Sequence, residues 1–204
     1  METDVPKALV PVAGKTILQW RIDHLHIQGV RKFIFACGTS DILESIKEFH
    51  KAWEECDYPP KAQYMYETDG DSRVGTGGAI KRCMKHVTEP SVFVTNCDDI
   101  TFPNLSNKRL IPNSMIVAQP TLPYGLILRQ GNGNFIRDFK EKPLLKNMWT
   151  SCGFYLLNKD VWLPDKGDIE KECFMDKVWR DKYGLRGVPY KGQWYAINTI
   201  KEAD

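Results

Sequence analysis

Short bulky apolar runs alternate with stretches of helical period along this chain, and that alternation constrains its fold more than any other feature. Leu18, Ile22 and Leu25 recur at i, i+4 and i+7 between Thr16 and Gly29, which predicts an amphipathic helix over 16–28. Lys32–Cys37 reads as a strand, 38–41 as a capping stretch, and Ile42, Ile46, Phe49 and Trp53 as the apolar stripe of a second helix. Residues 61–67 read as a strand, 78–86 as a helix and 91–96 as a fully buried strand. Strand–helix alternation of this kind is the α/β signature.

Beyond Pro103 the pattern shifts to shorter strands at 114–119, 124–130 and 134–139, with a hairpin turn at Gly131-Asn132-Gly133. The second half therefore reads as partly antiparallel. Residues 150–157 form another strand, 169–183 a helix with Ile169, Phe174 and Val178 on its apolar side, and 193–197 a last strand. Open α/β sheets place their ligands beyond the carboxyl ends of strands. That rule selects Asn96-Cys97-Asp98-Asp99, Glu141-Lys142-Pro143 and Asn198-Thr199.

Composition excludes several classes. With 204 residues, 42% of them hydrophobic, the chain is long enough for one compact core, and six Trp, eight Tyr and nine Phe argue against disorder. Lys+Arg (28) and Asp+Glu (26) nearly cancel, and no basic run marks a nucleic-acid binder. The longest apolar runs, such as 91–96 and 114–118, fall far short of the roughly 20 residues of a membrane span. A soluble cytoplasmic protein is the expectation. Six cysteines without a CxxC pair suggest reduced, mostly buried thiols.

Four constellations bear on chemistry, and each has a plainer reading beside it. Gly75-Thr76-Gly77-Gly78 before a helix lets backbone N–H groups approach a phosphate or nucleobase, or is an ordinary tight turn. Asp98 and Asp99 end an apolar strand where a hard cation is commonly held, or cap a turn. Lys7 and Lys142 each sit beside a proline that restricts the backbone, as suits a phosphate-binding ammonium, or are solvated surface lysines. The histidines at 24, 26, 50 and 86 lie in helical stretches without metal-ligand spacing. Neither a GxSxG elbow nor a Walker-type loop occurs, against hydrolase and P-loop readings.

In order, these segments resemble the sugar-nucleotide pyrophosphorylases, the sugar-1-phosphate nucleotidyltransferases. Pro6-Lys7-Ala8-Leu9-Val10-Pro11-Val12-Ala13-Gly14-Lys15 is similar to that family's PK-x-L-x-PV-x-x-K, and Gly75-Thr76-Gly77-Gly78-Ala79 to its GTGGA loop. Asn96-Cys97-Asp98 resembles NGD, Phe139-Lys140-Glu141-Lys142-Pro143 resembles F-x-EKP, and Thr150 to Tyr155 resembles the N-A-G-x-Y strand. Asp168 to Phe174 resembles the S-x-E-x-D-x-F helix, and Trp194 to Asp204 the closing W-x-x-x-x-T-x-x-D.

The resemblance implies one domain over 1–204 with a Rossmann-like three-layer αβα fold and a mixed sheet. It implies a Mg2+-dependent attack of a sugar 1-phosphate on the α-phosphorus of a nucleoside triphosphate, releasing pyrophosphate. Lys7 would meet the nucleotide phosphates, Gly75, Thr76, Gly77 and Gly78 would line the base, and Asp98 would hold the metal. Glu141, Ser151 and Gly153 would contact the sugar, and Lys142 its phosphate.

Departures from the pattern carry their own expectations. The family's GxGTRLxPLT loop and the central strand before it find no counterpart ahead of Pro6. The domain is therefore expected to be incomplete at its amino terminus, with its carboxyl end left open. A sheet without that strand has two apolar edges, which makes a homo-oligomer one expected outcome. Ala196 replaces a second metal-binding Asp, leaving Asn198 as a neutral oxygen donor. Beside the enzyme reading stands a catalytically weak or inactive sugar-nucleotide-binding or regulatory subunit.

Overall fold

The computed structural model describes residues 5–55, 62–68, 70, 72–131 and 134–197. A 3-10 turn, Lys7–Leu9, leads into a hairpin of β1 (Pro11–Val12) and β2 (Lys15–Thr16). Its turn residues, Ala13 and Gly14, both have positive φ (48° and 83°), as two-residue hairpin turns require. Helix α1 (Ile17–Ile27) starts on a capping box: Gln19 N–H donates to Thr16 Oγ1 at 3.1 Å, and Thr16 N–H donates to Gln19 Oε1 at 2.8 Å. Gly29, at φ 96°, ends that run.

The chain continues through β3 (Lys32–Cys37), α2 (Ser40–Glu55), β4 (Gln63–Thr68), α3 (Gly75–Met84), β5 (Ser91–Thr95) and β6 (Asp99–Ile100). Strands β7 (Ser114–Ala118), β8 (Leu126–Arg129), β9 (Ile136–Lys140) and β10 (Thr150–Asn158) follow. A π-helical turn (Glu170–Phe174), α4 (Lys177–Tyr183), β11 (Arg186–Pro189) and β12 (Tyr195–Ala196) complete it.

Three expectations need correction. The single helix over 169–183 is two, because Asp176 accepts from Val178 N–H at 3.0 Å and caps a new helix out of phase with the first. Trp179, not Val178, is consequently buried; Val178 is 74% exposed. Helix α3 begins at Gly75 rather than at 78, so the glycine-rich segment is its first turn. The hairpin β1–β2 and strand β11 had no sequence signal: the former has two residues per strand, and Arg186–Pro189 contains a Gly and ends on Pro.

The main sheet is mixed, in the order β11-β7-β10-β5, with β11 parallel to β7 and the other pairs antiparallel. Strands β3 and β4 form a separate parallel pair. Among the described residues, β3 pairs only with β4 and β5 only with β10, so each has one open edge. Side chains of β10 alternate between two cores. Cys152 and Phe154 pack with Ile22 and Leu25 of α1, Phe33 of β3 and Trp53 of α2, whereas Tyr155 and Leu157 pack with Ile169, Cys173 and Trp179. Ile80 and Met84 of α3 join the second cluster, which makes the layers helix, sheet, helix. Among the five described cysteines, Cys37, Cys152 and Cys173 are buried.

Candidate active site

Strand β5 delivers Asn96, Cys97, Asp98 and Asp99 at its carboxyl end, and the two carboxylates there have different surroundings. Asp98 is part-exposed and accepts from Lys7 Nζ at 3.2 Å. Both partners keep substantial solvent contact (side chains 41% and 30% exposed), so the pair contributes at most about 1 kcal/mol and opens readily to a third charged group. The Lys7–Leu9 turn carries Lys7 across 91 residues of sequence to this point.

Asp99 is buried. Its Oδ1 accepts from Trp194 Nε1 at 2.9 Å, and its Oδ2 from Asn96 Nδ2 at 3.3 Å. Burial pushes this carboxyl above its ordinary range, the charge of Asp98 adds to that, and the Trp194 bond opposes it. Beneath lies Arg21 of α1, only 5% exposed, donating to the Thr101 carbonyl at 2.6 Å, to Thr101 Oγ1 at 2.9 Å and to the Asp99 carbonyl. Burial lowers the Arg21 pKa to about 10, against the attraction of Asp99. Sequence reading gave Arg21 no role, yet its place invited one: it stands three residues after Leu18 and four before Leu25, a charge on an apolar stripe.

The closing segment docks on the same spot. Strand β12 pairs antiparallel with β6, setting Ala196 opposite Asp99, and Ile197 N–H donates to the Asp98 carbonyl at 2.7 Å. Asn198, the expected neutral metal ligand, lies outside the described residues. Among the described residues no cluster of three or more His, Cys, Asp or Glu is arranged for a metal.

Gly153 sits in a bulge. Five residues of β10, from Ser151 to Tyr155, pass opposite three of β7, from Val117 to Met115. Within it Gly153 has φ 61°, its carbonyl accepts from Asn96 N–H at 2.7 Å, and a Cβ there would overlap Asp99 Oδ2. Only glycine fits. The bulge thus presses the Ser151–Gly153 segment against the Asp98–Asp99 end of β5.

The first turn of α3 packs backbone to backbone on residues 164–167. Gly77 N–H donates to the Gly167 carbonyl at 2.9 Å, and a Cβ on Gly75, Gly77 or Gly78 would meet Gly167, Pro164 or Asp165 at 2.6–2.7 Å. Gly77 and Gly78 are accordingly buried, while Gly75 and Thr76 remain exposed at the lip. Close packing therefore requires these glycines regardless of any ligand.

Glu141 and Lys142 follow β9, at the base of the β8–β9 hairpin, and both are exposed. Lys142 holds φ 42°, a left-handed conformation that costs an L residue roughly 1–3 kcal/mol. Neither makes a hydrogen bond or ion pair with the Lys7–Asp98 pair or the Ser151–Gly153 segment among the described residues. The structure thus joins Lys7 with Asp98, and Gly153 with the same strand end, and leaves Glu141 and Lys142 on a separate arm.

Similarity to known proteins bears on what such a site serves. The model of the nucleotidyl transferase family matches residues 2–177. The chain belongs to that family. Among nucleotidyl transferases, it is 29% identical to the D-glycero-alpha-D-manno-heptose 1-phosphate guanylyltransferase of Campylobacter jejuni, over 96% of this chain and 91% of that protein. It is 25% identical to the glucose-1-phosphate cytidylyltransferase of Salmonella typhimurium, over 97% and 84%. HddC from Yersinia pseudotuberculosis has the same fold, with a TM-score of 0.68 at 20% identity over 99% of this chain and 88% of that one. The fold of this nucleotidyl transferase is therefore the Rossmann-like one of sugar-1-phosphate nucleotidyltransferases, with a mixed sheet. Among its described residues no helix is long and apolar enough to cross a membrane.

Proposed function

We propose that this nucleotidyl transferase joins a sugar 1-phosphate to a nucleoside triphosphate in the cytoplasm. A phosphate oxygen of the sugar forms a bond to the α-phosphorus, the bond from that phosphorus to the β-phosphate bridging oxygen breaks, and pyrophosphate leaves. The observation that carries this reading is the Lys7–Asp98 pair at the carboxyl end of β5, beside the Gly153 bulge. Such transfers require little covalent work from the protein; positioning and charge stabilisation carry them.

Lys7 gives an ammonium to the nucleotide phosphates when its loose contact with Asp98 opens. Asp98 then stands as a free carboxylate. One carboxylate suits Mg2+, which takes most of its oxygens from phosphates and water, and Asn198 would add a neutral oxygen. The ion, when bound, supplies charge neutralisation at the transferring phosphate. Asp99 is unsuited to this role, since Trp194 and Asn96 already hold its oxygens. Thr76 and the Gly75 to Gly78 turn face the base, Ser151, Gly153 and Glu141 the sugar, and Lys142 its phosphate, brought in on the hairpin arm.

The named relatives suggest GTP with a heptose 1-phosphate as the first substrate pair to try. Pyrophosphate release that requires both compounds and a divalent cation supports the reading. Asp98→Ala should then lower turnover by at least about 100-fold with an unchanged thermal transition; near-normal rates would remove Asp98 from the metal site. Ala196, standing opposite Asp99 where a second carboxylate would lie, favours the other reading, a sugar-nucleotide-binding subunit. Saturable binding of nucleotide sugar without turnover of any pair would establish that one instead.

A further inference from the structure

Residues 168–174 carry one of the family-like motifs. Glu170, in the π-helical turn, lies between the two substrate sides proposed above. Its Oε1 accepts from the Tyr155 hydroxyl at 3.0 Å, and its Oε2 from Thr76 Oγ1 at 3.4 Å. Beyond Tyr155 the run continues: Ser151 Oγ donates to the Tyr155 hydroxyl at 3.2 Å, and Gly153 N–H donates to Ser151 Oγ at 3.2 Å. Beyond Thr76, Ile169 N–H donates to Thr76 Oγ1 at 3.0 Å.

Each hydroxyl in this run accepts once and donates once, and each end is a backbone N–H that only donates. All donors therefore point toward one carboxylate, and the run is two arms of opposite direction that meet at Glu170. Tyr155 is 1% exposed, and burial raises its phenol well above the ordinary value, so the hydroxyl keeps its proton. Within each arm the bonds polarise one another, and because both arms end on one acceptor, a change in one alters the other. A substrate that draws on Thr76 at one end alters what Ser151 and Gly153 present at the other.

The geometry points to Glu170 as a positioning residue that couples the nucleotide side, through Thr76, to the sugar side, through Tyr155, Ser151 and Gly153, so that one substrate prepares the site for the other. This rests on the proposed function for the identity of the two sides. Glutamine at 170 is nearly isosteric but sets an NH2 donor against one of two hydroxyl donors, which breaks the run at its centre.

In the wild-type chain, saturating nucleotide should lower the KM for sugar 1-phosphate by roughly 5-fold or more, the scale of ordinary coupling between sites. In Glu170→Gln that ratio should fall to about 1, with KM more affected than kcat. Tyr155→Phe, which cuts only the sugar arm, should raise the KM for the sugar phosphate more than that for the nucleotide. A wild-type ratio in Glu170→Gln overturns the coupling, as does a loss confined to kcat.

A second readout needs no turnover. Thr76→Ala should change native-state amide exchange at Gly153 by about 3-fold or more in the wild-type background and leave it unchanged in Glu170→Gln. Absence of any change at Gly153 in Thr76→Ala overturns the proposal. Transmission without turnover of any substrate pair upholds the coupling and removes the proposed function instead.

Discussion

Two adjacent carboxylates, Asp98 and Asp99, differ by one position in sequence and by everything in environment: one meets a lysine near water, the other is enclosed by Trp194, Asn96 and Gly153. Gly153 is the hinge of that difference. Gly153→Ala combines a left-handed backbone with an overlap on Asp99 Oδ2, and should destabilise the protein by on the order of 3 kcal/mol. A thermal transition lowered by roughly 6–12 °C would report it; a shift within about 1 °C would mean that the bulge yields. The motifs that carry Lys7, Asp98 and Gly153 were legible in the sequence, and the structure brings these three to one strand end. Arg21 was not legible, and Glu170 only as a member of the 168–174 motif, since their partners lie 78 and 15 or more residues away, where no local spacing reveals them.

Elements with a strong period were legible nearly to the residue. Strand β3 is the six residues read from sequence, and α1 starts on the Thr16 that marked it. Reading failed where a capping residue reset the phase, as at Asp176, or where an element was too short to have a period. One contact between elements makes a pH prediction. Glu67 of β4 is held by His86 and by Lys85 at 3.0 Å, both just beyond α3, and the His86 bond foremost draws its carboxyl below the ordinary 4.5. A lowered carboxyl stabilises the fold above its unfolded value and loses that contribution as pH falls through the folded one. Glu67→Gln should therefore reduce stability at pH 7 and show a shallower decline on acidification. Parallel urea midpoints for the two proteins between pH 7 and pH 3 would contradict it.

At the scale of the molecule, the sheet is two units rather than one: β11-β7-β10-β5 and β3-β4, each with an open edge. The core that the two units share was not legible in the sequence, because it rests on side chains far apart along the chain. Phe33 of β3, Phe154 of β10 and Ile22 of α1 lie in one cluster, so side chains join what backbone pairing does not. Strand β10, paired with β5 from Phe154 to Asn158, should exchange its Tyr155–Leu157 amides only by global unfolding, while β3–β4 opens at lower free energy. Equal protection in both units, measured by native-state hydrogen exchange, would show that the core alone makes them one.

The bulge in β10 limits how this strand tolerates insertion and deletion. It adds two residues, an even number, so the strand leaves it with the same parity as it entered: Ser151, Gly153 and Tyr155 face one side, Cys152 and Phe154 the other. Length at this point is thus counted in pairs. Losing one residue between Ser151 and Tyr155 would exchange the facing of the strand's side chains, whereas losing two would straighten the strand, leave each remaining side chain in its own core and erase the bulge.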